Sequence, residues 1–447
     1  MKQRENFSSK LGIIVATAGS ALGLGNIYRF PCEAGANGGG AFLIVYLVTA
    51  LLIGTPLMIS EFIIGRRSRS NPIGAFRTLS GKKSAWPVVG YLGVLCAFLI
   101  LAFYTTVAGW TLGYLGKSAA NHFAGQDLGQ IQGQFTSFTN HPWLPVACQL
   151  AFLALTAFVV ARGVKDGIEK WSKILMPLLL VIMVVLCINS LTLSGAKEGL
   201  GFFFNPDFSK INGRVLISAL GQSFFSLSIG MGALITYGSY IGSKDNMVSS
   251  ATGVVLADTL VAVLAGIIIF PAAFTYGVQP EAGASLAFTT LPMVFQQMPG
   301  GYFFCLIFFL LLVIATLTST ISLLEVIVAA LTEETRLSRP VAAIIGAAGT
   351  AVIGVLATLS FRTGSPLHIG GSTVFDLLDH MTASYFMPIG GLLIVLFVGW
   401  TMKRADAMDE LTNGGTLRAG IRKAIYCIIR YLAPVAIAVI FISQLVG

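Results

Sequence analysis

Two stretches decide the fold. One is Ala18-Gly19-Ser20-Ala21-Leu22-Gly23-Leu24-Gly25-Asn26, and the other is Gln222-Ser223-Phe224-Phe225-Ser226-Leu227-Ser228-Ile229-Gly230-Met231-Gly232. Each lies in an apolar run and carries a Gly-x-Gly near its middle, with hydroxyl or amide side chains beside it. Glycine inside a helix costs about 1 kcal/mol relative to alanine, so a pair weakens the helix at that point. Backbone groups freed at membrane depth are tolerated only where they are buried in protein or line a cavity. A single Gly-x-Gly also reads as a close-packing motif between helices.

Working outward, apolar runs of about 20 residues, each enough to cross a bilayer as a helix, recur along the whole chain. They fall at about 11–35, 40–65, 86–116, 143–162, 168–191, 214–241, 247–276, 302–333, 340–361, 373–401 and 421–445. The chain has 447 residues, 55% hydrophobic and 11% charged, with 50 glycines. Its mean hydropathy is +0.83. This composition implies one membrane domain rather than several soluble ones. The two glycine-paired runs are the first and the sixth. They stand five spans apart, and because five is odd, a five-span repeat must be inverted relative to the first copy. Broken helices at matching positions of two inverted halves point to the central binding site of a carrier.

The net charge of +9 does not imply a nucleic-acid partner, because of where the charge sits. Alternate loops hold 21 of the 28 Lys and Arg, in clusters such as Arg66, Arg67, Arg69 and Lys403, Arg404, Arg418, Arg422, Lys423. The opposite loops hold only Lys117, Lys197, Lys210, Arg214 and Arg362, while Arg29 and Arg430 fall inside apolar runs. This asymmetry puts the N-terminus in the cytoplasm and, with eleven spans, the C-terminus outside. No cleavable signal is evident in MKQRENFSSK. The six cysteines stand singly and read as packing residues. With four histidines, no HExxH and no Gly-x-Ser-x-Gly, no catalytic constellation is present.

These residues resemble the neurotransmitter:sodium symporter family, in its bacterial form with the leucine-transporter fold. The resemblance is carried by Gly23-Leu24-Gly25-Asn26 with Arg29-Phe30-Pro31, by Asn37-Gly38-Gly39-Gly40-Ala41-Phe42, and by Pro56, Glu61 and Gly65-Arg66. It continues through Tyr104, Trp110, Gly167, Pro177, Phe225-Ser226-Leu227-Ser228, Ile269-Phe270-Pro271 and Thr318-Ser319. It implies an all-α polytopic protein of about eleven transmembrane helices, a 5+5 inverted repeat with helices 1 and 6 broken. The organisation would be an N-terminal cytoplasmic segment with the inner gate (1–10), a first repeat (11–191), an outer loop (192–213), a second repeat (214–401), a cytoplasmic loop (402–420) and an eleventh helix (421–447). The expected location is a bacterial inner membrane.

The resemblance also implies the ligands. A first sodium would take the Ala21 carbonyl, the Asn26 amide oxygen, Ser226, Asp258 and the substrate carboxylate. The family position falls on Ala257 or Asp258, and only Asp258 offers an oxygen. An intramembrane carboxylate is costly unless partnered, so a bound cation is its natural reading, with a hydrogen bond to a neighbouring helix as the alternative. Its fixed charge would make chloride unnecessary. A second sodium would take the carbonyls of Gly19, Leu22 and Ala315 with the hydroxyls of Thr318 and Ser319. The amides of Leu24 and Gly25 would face the substrate carboxylate. The side-chain pocket would comprise Ile100, Tyr104, Phe225, Ser228, Met231, Ser319 and Leu323, with the carbonyls of Ala21, Phe225 and Ser226 taking the ammonium. Monoamine-carrying relatives have an aspartate at the position of Gly23, so this substrate would bring its own carboxylate. The outer gate would pair Arg29 with Asp379, and the inner gate Arg4 with Glu333, close to Ser239 and Tyr240. Phe7 stands where relatives often have tryptophan. Glu61 and Glu325 read as structural or proton-linked carboxylates. The implied function is sodium-coupled import of a neutral, hydrophobic or aromatic amino acid; the alternative is a channel or another polytopic protein without coupling. The oligomeric state is left open.

Overall fold

Among the described residues, eight helices are long and apolar enough to cross a membrane: Gly40–Ser68, Pro87–Ala119, Leu144–Ala161, Val164–Ser190, Met247–Tyr276, Gly301–Thr335, Arg339–Ser360 and Val374–Thr401. These are spans 2, 3, 4, 5, 7, 8, 9 and 10. Span 1 is a pair, Leu11–Ala21 and Gly25–Ala36, bent by 57° at its break. Span 6 is likewise two helices, Gly213–Ser226 and Ala233–Gly238. Span 11 runs through Gly420–Cys427, Ile428–Leu432 and Ala433–Val446. The structure is a computed structural model that describes residues 7, 9–81, 83–126, 128–277, 285–296, 298, 300–418 and 420–446.

The broken and long helices are where the hydropathy pattern puts them, and the loops hold more structure than it suggests. Helices Leu128–Asn140, Ala196–Phe204 and Arg404–Thr412 occupy connections expected as loops. The connection after span 7 contributes Ser285–Gln296. Phe288 from that helix is buried against Trp110, Tyr114, Phe135 and Phe309, with ring centroids 5.2–6.0 Å apart. Pro280 lies outside the described residues. Several helices begin on side-chain caps that satisfy first-turn amides: Ser9 for span 1, Asn212 for span 6 and Asn246 for span 7. Among the described residues no cysteine is joined in a disulfide.

Spans 3 and 8 are the longest and lie against each other in the interior. Apolar contact alone gives little preference between helix neighbours in lipid, so buried polar pairs help fix the arrangement. Gln149 of span 4 donates to Thr105 of span 3 (2.9 Å) and accepts from Thr358 of span 9 (2.7 Å). Thr156 of span 4 meets Thr320 of span 8 at 2.9 Å. At the end bearing the basic loops, the buried Arg66 of span 2 donates from Nε to Glu410 Oε2 (2.6 Å), from Nη2 to the Glu410 carbonyl (2.6 Å) and from Nη1 to the Asp245 carbonyl (2.9 Å). Arg67 adds Asp406 at 2.6 Å. Three connections are thereby tied together at one end of the bundle.

Candidate functional site

The helix of span 1 stops at Ala21 and turns again from Gly25, so Leu22 to Leu24 cross the centre with irregular backbone. In span 6 the gap runs from Leu227 to Gly232. The two gaps face each other and share hydrogen bonds. Gln222 Nε2 donates to the Gly25 carbonyl at 2.8 Å. The Ser20 carbonyl accepts from the hydroxyls of Ser228 (3.0 Å) and Ser319 (3.4 Å), joining span 1 to spans 6 and 8. Groups released by the breaks are thus taken up inside the protein, as burial demands.

Between the gaps lies a cavity of about 30 Å³, lined by Ser20, Ala21, Gly23, Gly25, Ile100, Tyr104, Phe225, Ser228, Met231, Ser319 and Leu323. None of these side chains is charged. All but two residues of the expected substrate pocket line it. Leu24 instead faces a second, outer cavity, and its N–H donates to the Tyr104 hydroxyl at 3.1 Å rather than standing free for a carboxylate. Ser226 turns away toward span 7. Ser20 is the lining residue that sequence reasoning missed. Its signal was present, a hydroxyl residue within the small-residue string just before the break.

On one side of the cavity Asp258 is fully buried and takes three donors. Asn26 Nδ2 and Ser226 Oγ donate to Oδ1 at 2.7 and 2.8 Å, and Tyr46 Oη donates to Oδ2 at 2.7 Å. Asn26 Nδ2 is also 2.9 Å from Ser226 Oγ, while its Oδ1 accepts from Gly23 N–H at 3.3 Å. The amide therefore presents nitrogen to the carboxylate, where a sodium ligand would present oxygen. The reason is plain: an ionised carboxylate only accepts, and Nδ2 is the end of the amide that donates. A cation at Asp258 fits the donor set of carboxylate, hydroxyl and carbonyl oxygens, with the amide turned over. Tyr46 was missed by sequence reasoning; a tyrosine in an apolar span gives no signal without its partner.

On the other side, the Thr318 hydroxyl lies 2.9 Å from the Ala315 carbonyl and 3.4 Å from the Leu22 carbonyl. Gly19 faces the Thr318 side chain, and the Ser319 hydroxyl turns to Ser20. The oxygens of Thr318, Leu22 and Ala315 thus lie within reach of one another, the bond to Ala315 being the usual back-bond of a helix hydroxyl. Among the described residues, no group of three His, Cys, Asp or Glu forms a metal cluster.

Above the cavity, Arg29 lies 4.4 Å from the Phe225 ring centroid and 4.0 Å from Asp379 Oδ1. Both belong to the rim of the outer cavity, about 280 Å³, which Tyr104 and Phe225 divide from the inner one. Below it lies the region expected to form the inner gate. Arg4 lies outside the described residues. Glu333 accepts from the N–H and Nδ2 of Asn71, at 2.8 and 3.0 Å. Tyr240 donates to Glu325 at 2.6 Å. Glu325 is fully buried and ion-paired to Arg339, which gives this intramembrane carboxylate its counter-charge. Glu61 accepts from Gly230 N–H at 2.8 Å, so it serves the span 6 break. Phe7 packs edge-on to Tyr237 and Tyr240, both at 5.9 Å, and its N–H donates to the Tyr240 carbonyl. Span 5 opens on an irregular turn at Val164–Glu169 after Gly163, and carries Pro177 within its helix.

The comparisons with known proteins agree with this architecture. A crystal structure of MhsT in complex with L-phenylalanine superposes with a TM-score of 0.91 at 43% identity, covering 99% of this chain and 100% of that one. An uncharacterised sodium-dependent transporter of Bacillus subtilis (strain 168) is 38% identical over 98% of this chain and 97% of its own length. The sodium-dependent neutral amino acid transporter B(0)AT3 of Rattus norvegicus is 29% identical over 60% of this chain and 48% of its own length. The family model described as the sodium:neurotransmitter symporter family matches residues 4–131 and 117–447. With both broken helices and a match along nearly its whole length, this chain belongs to the sodium:neurotransmitter symporter family, a family of membrane transporters and not of enzymes.

Proposed function

We propose that this protein is a sodium-coupled symporter that imports a neutral amino acid with a hydrophobic or aromatic side chain by alternating access. The observation that carries the reading is the uncharged cavity at the meeting of two broken helices, with an oxygen cluster on either side of it. An apolar pocket rejects charged side chains, since burying an unpaired charge costs several kcal/mol. Met231 is unbranched and yields to larger ligands. With glycine at position 23 the pocket offers no carboxylate to an amine, so the substrate supplies that group itself. The similar structure that holds L-phenylalanine and the relative named as a neutral amino acid transporter support the same class.

Two sodium ions fit the two oxygen clusters, the first at Ala21, Asn26, Ser226 and Asp258, the second at Gly19, Leu22, Ala315, Thr318 and Ser319. A tenfold gradient supplies about 1.4 kcal/mol per ion, and 100 mV adds about 2.3 kcal/mol per charge. Two ions thus offer about 7 kcal/mol, ample to concentrate a zwitterion. If the substrate carboxylate completes one ion's shell, each ligand raises the other's affinity by the same factor. Asp258 supplies the negative charge beside the first ion, so transport proceeds without chloride. Arg29, Asp379 and Phe225 close the outer side. The basic loops face the cytoplasm of a bacterial cell, with the N-terminus inside.

The test is uptake of L-phenylalanine and L-leucine into proteoliposomes under an inward sodium gradient. Saturable uptake that stops when potassium or lithium replaces sodium is expected. Equal uptake in sodium-free medium, with no proton gradient imposed, overturns the sodium assignment. Unsaturable flux returns the channel reading.

A further inference from the structure

Arg430 stands in the eleventh span, and among the described residues no carboxylate pairs with it. Its carbonyl accepts from Trp400 Nε1 at 2.9 Å, which sets it level with the last turn of span 10. Its guanidinium lies 4.8 Å from the Trp400 ring centroid and 5.5 Å from that of Tyr431. The two rings meet edge to face at 5.9 Å, and both are more than half exposed, at 57% and 56%. Arg430 Nε is buried and has no hydrogen-bond partner among the described residues.

Stacking on two aromatic faces relieves part of a cation's desolvation but leaves its N–H donors unfilled. An arginine at membrane depth is kept only where something answers its charge. Trp400, at the end of span 10, marks the level of lipid headgroups, and a guanidinium matches phosphate with two parallel hydrogen bonds. The connection before span 11 and that span's first turn carry Lys403, Arg404, Arg422 and Lys423. The acids of the adjoining loop are already engaged, Asp406, Asp409 and Glu410 by Arg67 and Glu410 also by Arg66.

We propose that Arg430, framed by Trp400 and Tyr431, binds the phosphate of an anionic phospholipid at the rim between spans 10 and 11. The surrounding cations select a headgroup that carries no ammonium of its own, such as phosphatidylglycerol, over phosphatidylcholine. The site is remote from the central cavity and does not depend on which amino acid is carried.

Native mass spectrometry of the purified full chain, titrated with phosphatidylglycerol or phosphatidylcholine, tests this. Wild type is expected to retain phosphatidylglycerol about fivefold better than phosphatidylcholine, and about fivefold better than Arg430→Gln does. Arg362→Gln, a charge change in an opposite loop, is expected to leave retention unchanged. Equal phosphatidylglycerol retention by wild type and Arg430→Gln overturns the proposal, and so does displacement of the lipid by millimolar inorganic phosphate, which would mark a free-anion site. If Arg430→Gln does not fold, wild type decides alone: a retention ratio near one between the two lipids overturns it.

Discussion

In span 1, Gly23 and Gly25 have no left-handed backbone, whereas in span 6 Gly230 and Gly232 stand at φ +84° and +76° with Ser228 at +56°. The same Gly-x-Gly therefore answers two different needs. A methyl at Gly23 would collide with Ser319 Oγ and stand 2.7 Å from Tyr104 Oη; one at Gly25 would stand 3.0 Å from the Phe225 ring. These glycines make room. Those of span 6 make the turn, since a side chain in the left-handed region costs about 1–2 kcal/mol wherever space exists. Gly230 has both constraints, because the Met387 carbonyl fills the place of its Cβ. One break is shaped by what must fit beside it, the other by the path of its own backbone.

The largest effect is expected at Gly23. Gly23→Asp adds bulk where there is none to spare and a carboxylate facing the substrate's own, so uptake should fall to background in correctly inserted protein. Normal uptake by that variant would remove the space argument for span 1 and relocate the substrate carboxylate. Asp258 comes next. Asp258→Ala should be nearly inactive, and Asp258→Asn should raise the sodium concentration for half-maximal uptake about tenfold, the loss of about 1.4 kcal/mol. Wild type should be indifferent to gluconate in place of chloride, and the Asn variant should gain chloride dependence. Superimposable sodium curves would leave Asp258 as a helix-joining hydrogen-bond acceptor.

Smaller effects separate the two breaks directly. Gly25→Ala should lower the detergent melting temperature, and Phe225→Leu should restore it, because the obstacle is a ring. A Cβ at Gly232 would stand 3.1 Å from Pro72 and 3.4 Å from Val326; Gly232→Ala should cost about 1 kcal/mol that trimming Pro72 and Val326 does not recover, while Gly232→Asn, tolerant of left-handed backbone, should cost less. If trimming rescued Gly232→Ala, the distinction drawn between the breaks would fail. The smallest effect is the coupling of Arg29 to Phe225 across the breaks. A double-mutant cycle with Arg29→Gln and Phe225→Leu should return about 0.5–1 kcal/mol, the range of a partly exposed cation–π contact.

The legible part of the molecule follows from composition and spacing. Apolar runs have a length fixed by the bilayer, and weak points in them are written as glycine, so both breaks were readable, while the residues lining the cavity were expected only through the family resemblance. Pairings were less so. Tyr46 reaches Asp258 across 212 positions, and nothing around residue 46 announces it. Leu24 was read correctly as a residue of the break, but its N–H is spoken for by Tyr104. The inner side was the hardest, because long cationic and acidic side chains there have several partners within reach. Glu325 took Arg339 and Tyr240, and spacing along the chain announced neither. The helix Arg404–Thr412 was hidden by its polarity, since an apolar-run search passes over it.

The knot of Arg66 has a consequence for how the chain is made. Its three hydrogen bonds end on residues 245 and 410, the farther of them 344 positions along the chain. A ribosome delivers the arginine long before either acceptor exists, and the acceptors arrive in order, first the connection after span 6 and then the one after span 10. Until residue 410 has been made, the buried guanidinium lacks its carboxylate, and an unpaired buried charge is strongly destabilising. This end of the bundle can therefore close only after the tenth span has been synthesised, so completion of the last connection registers that the spans before it have assembled.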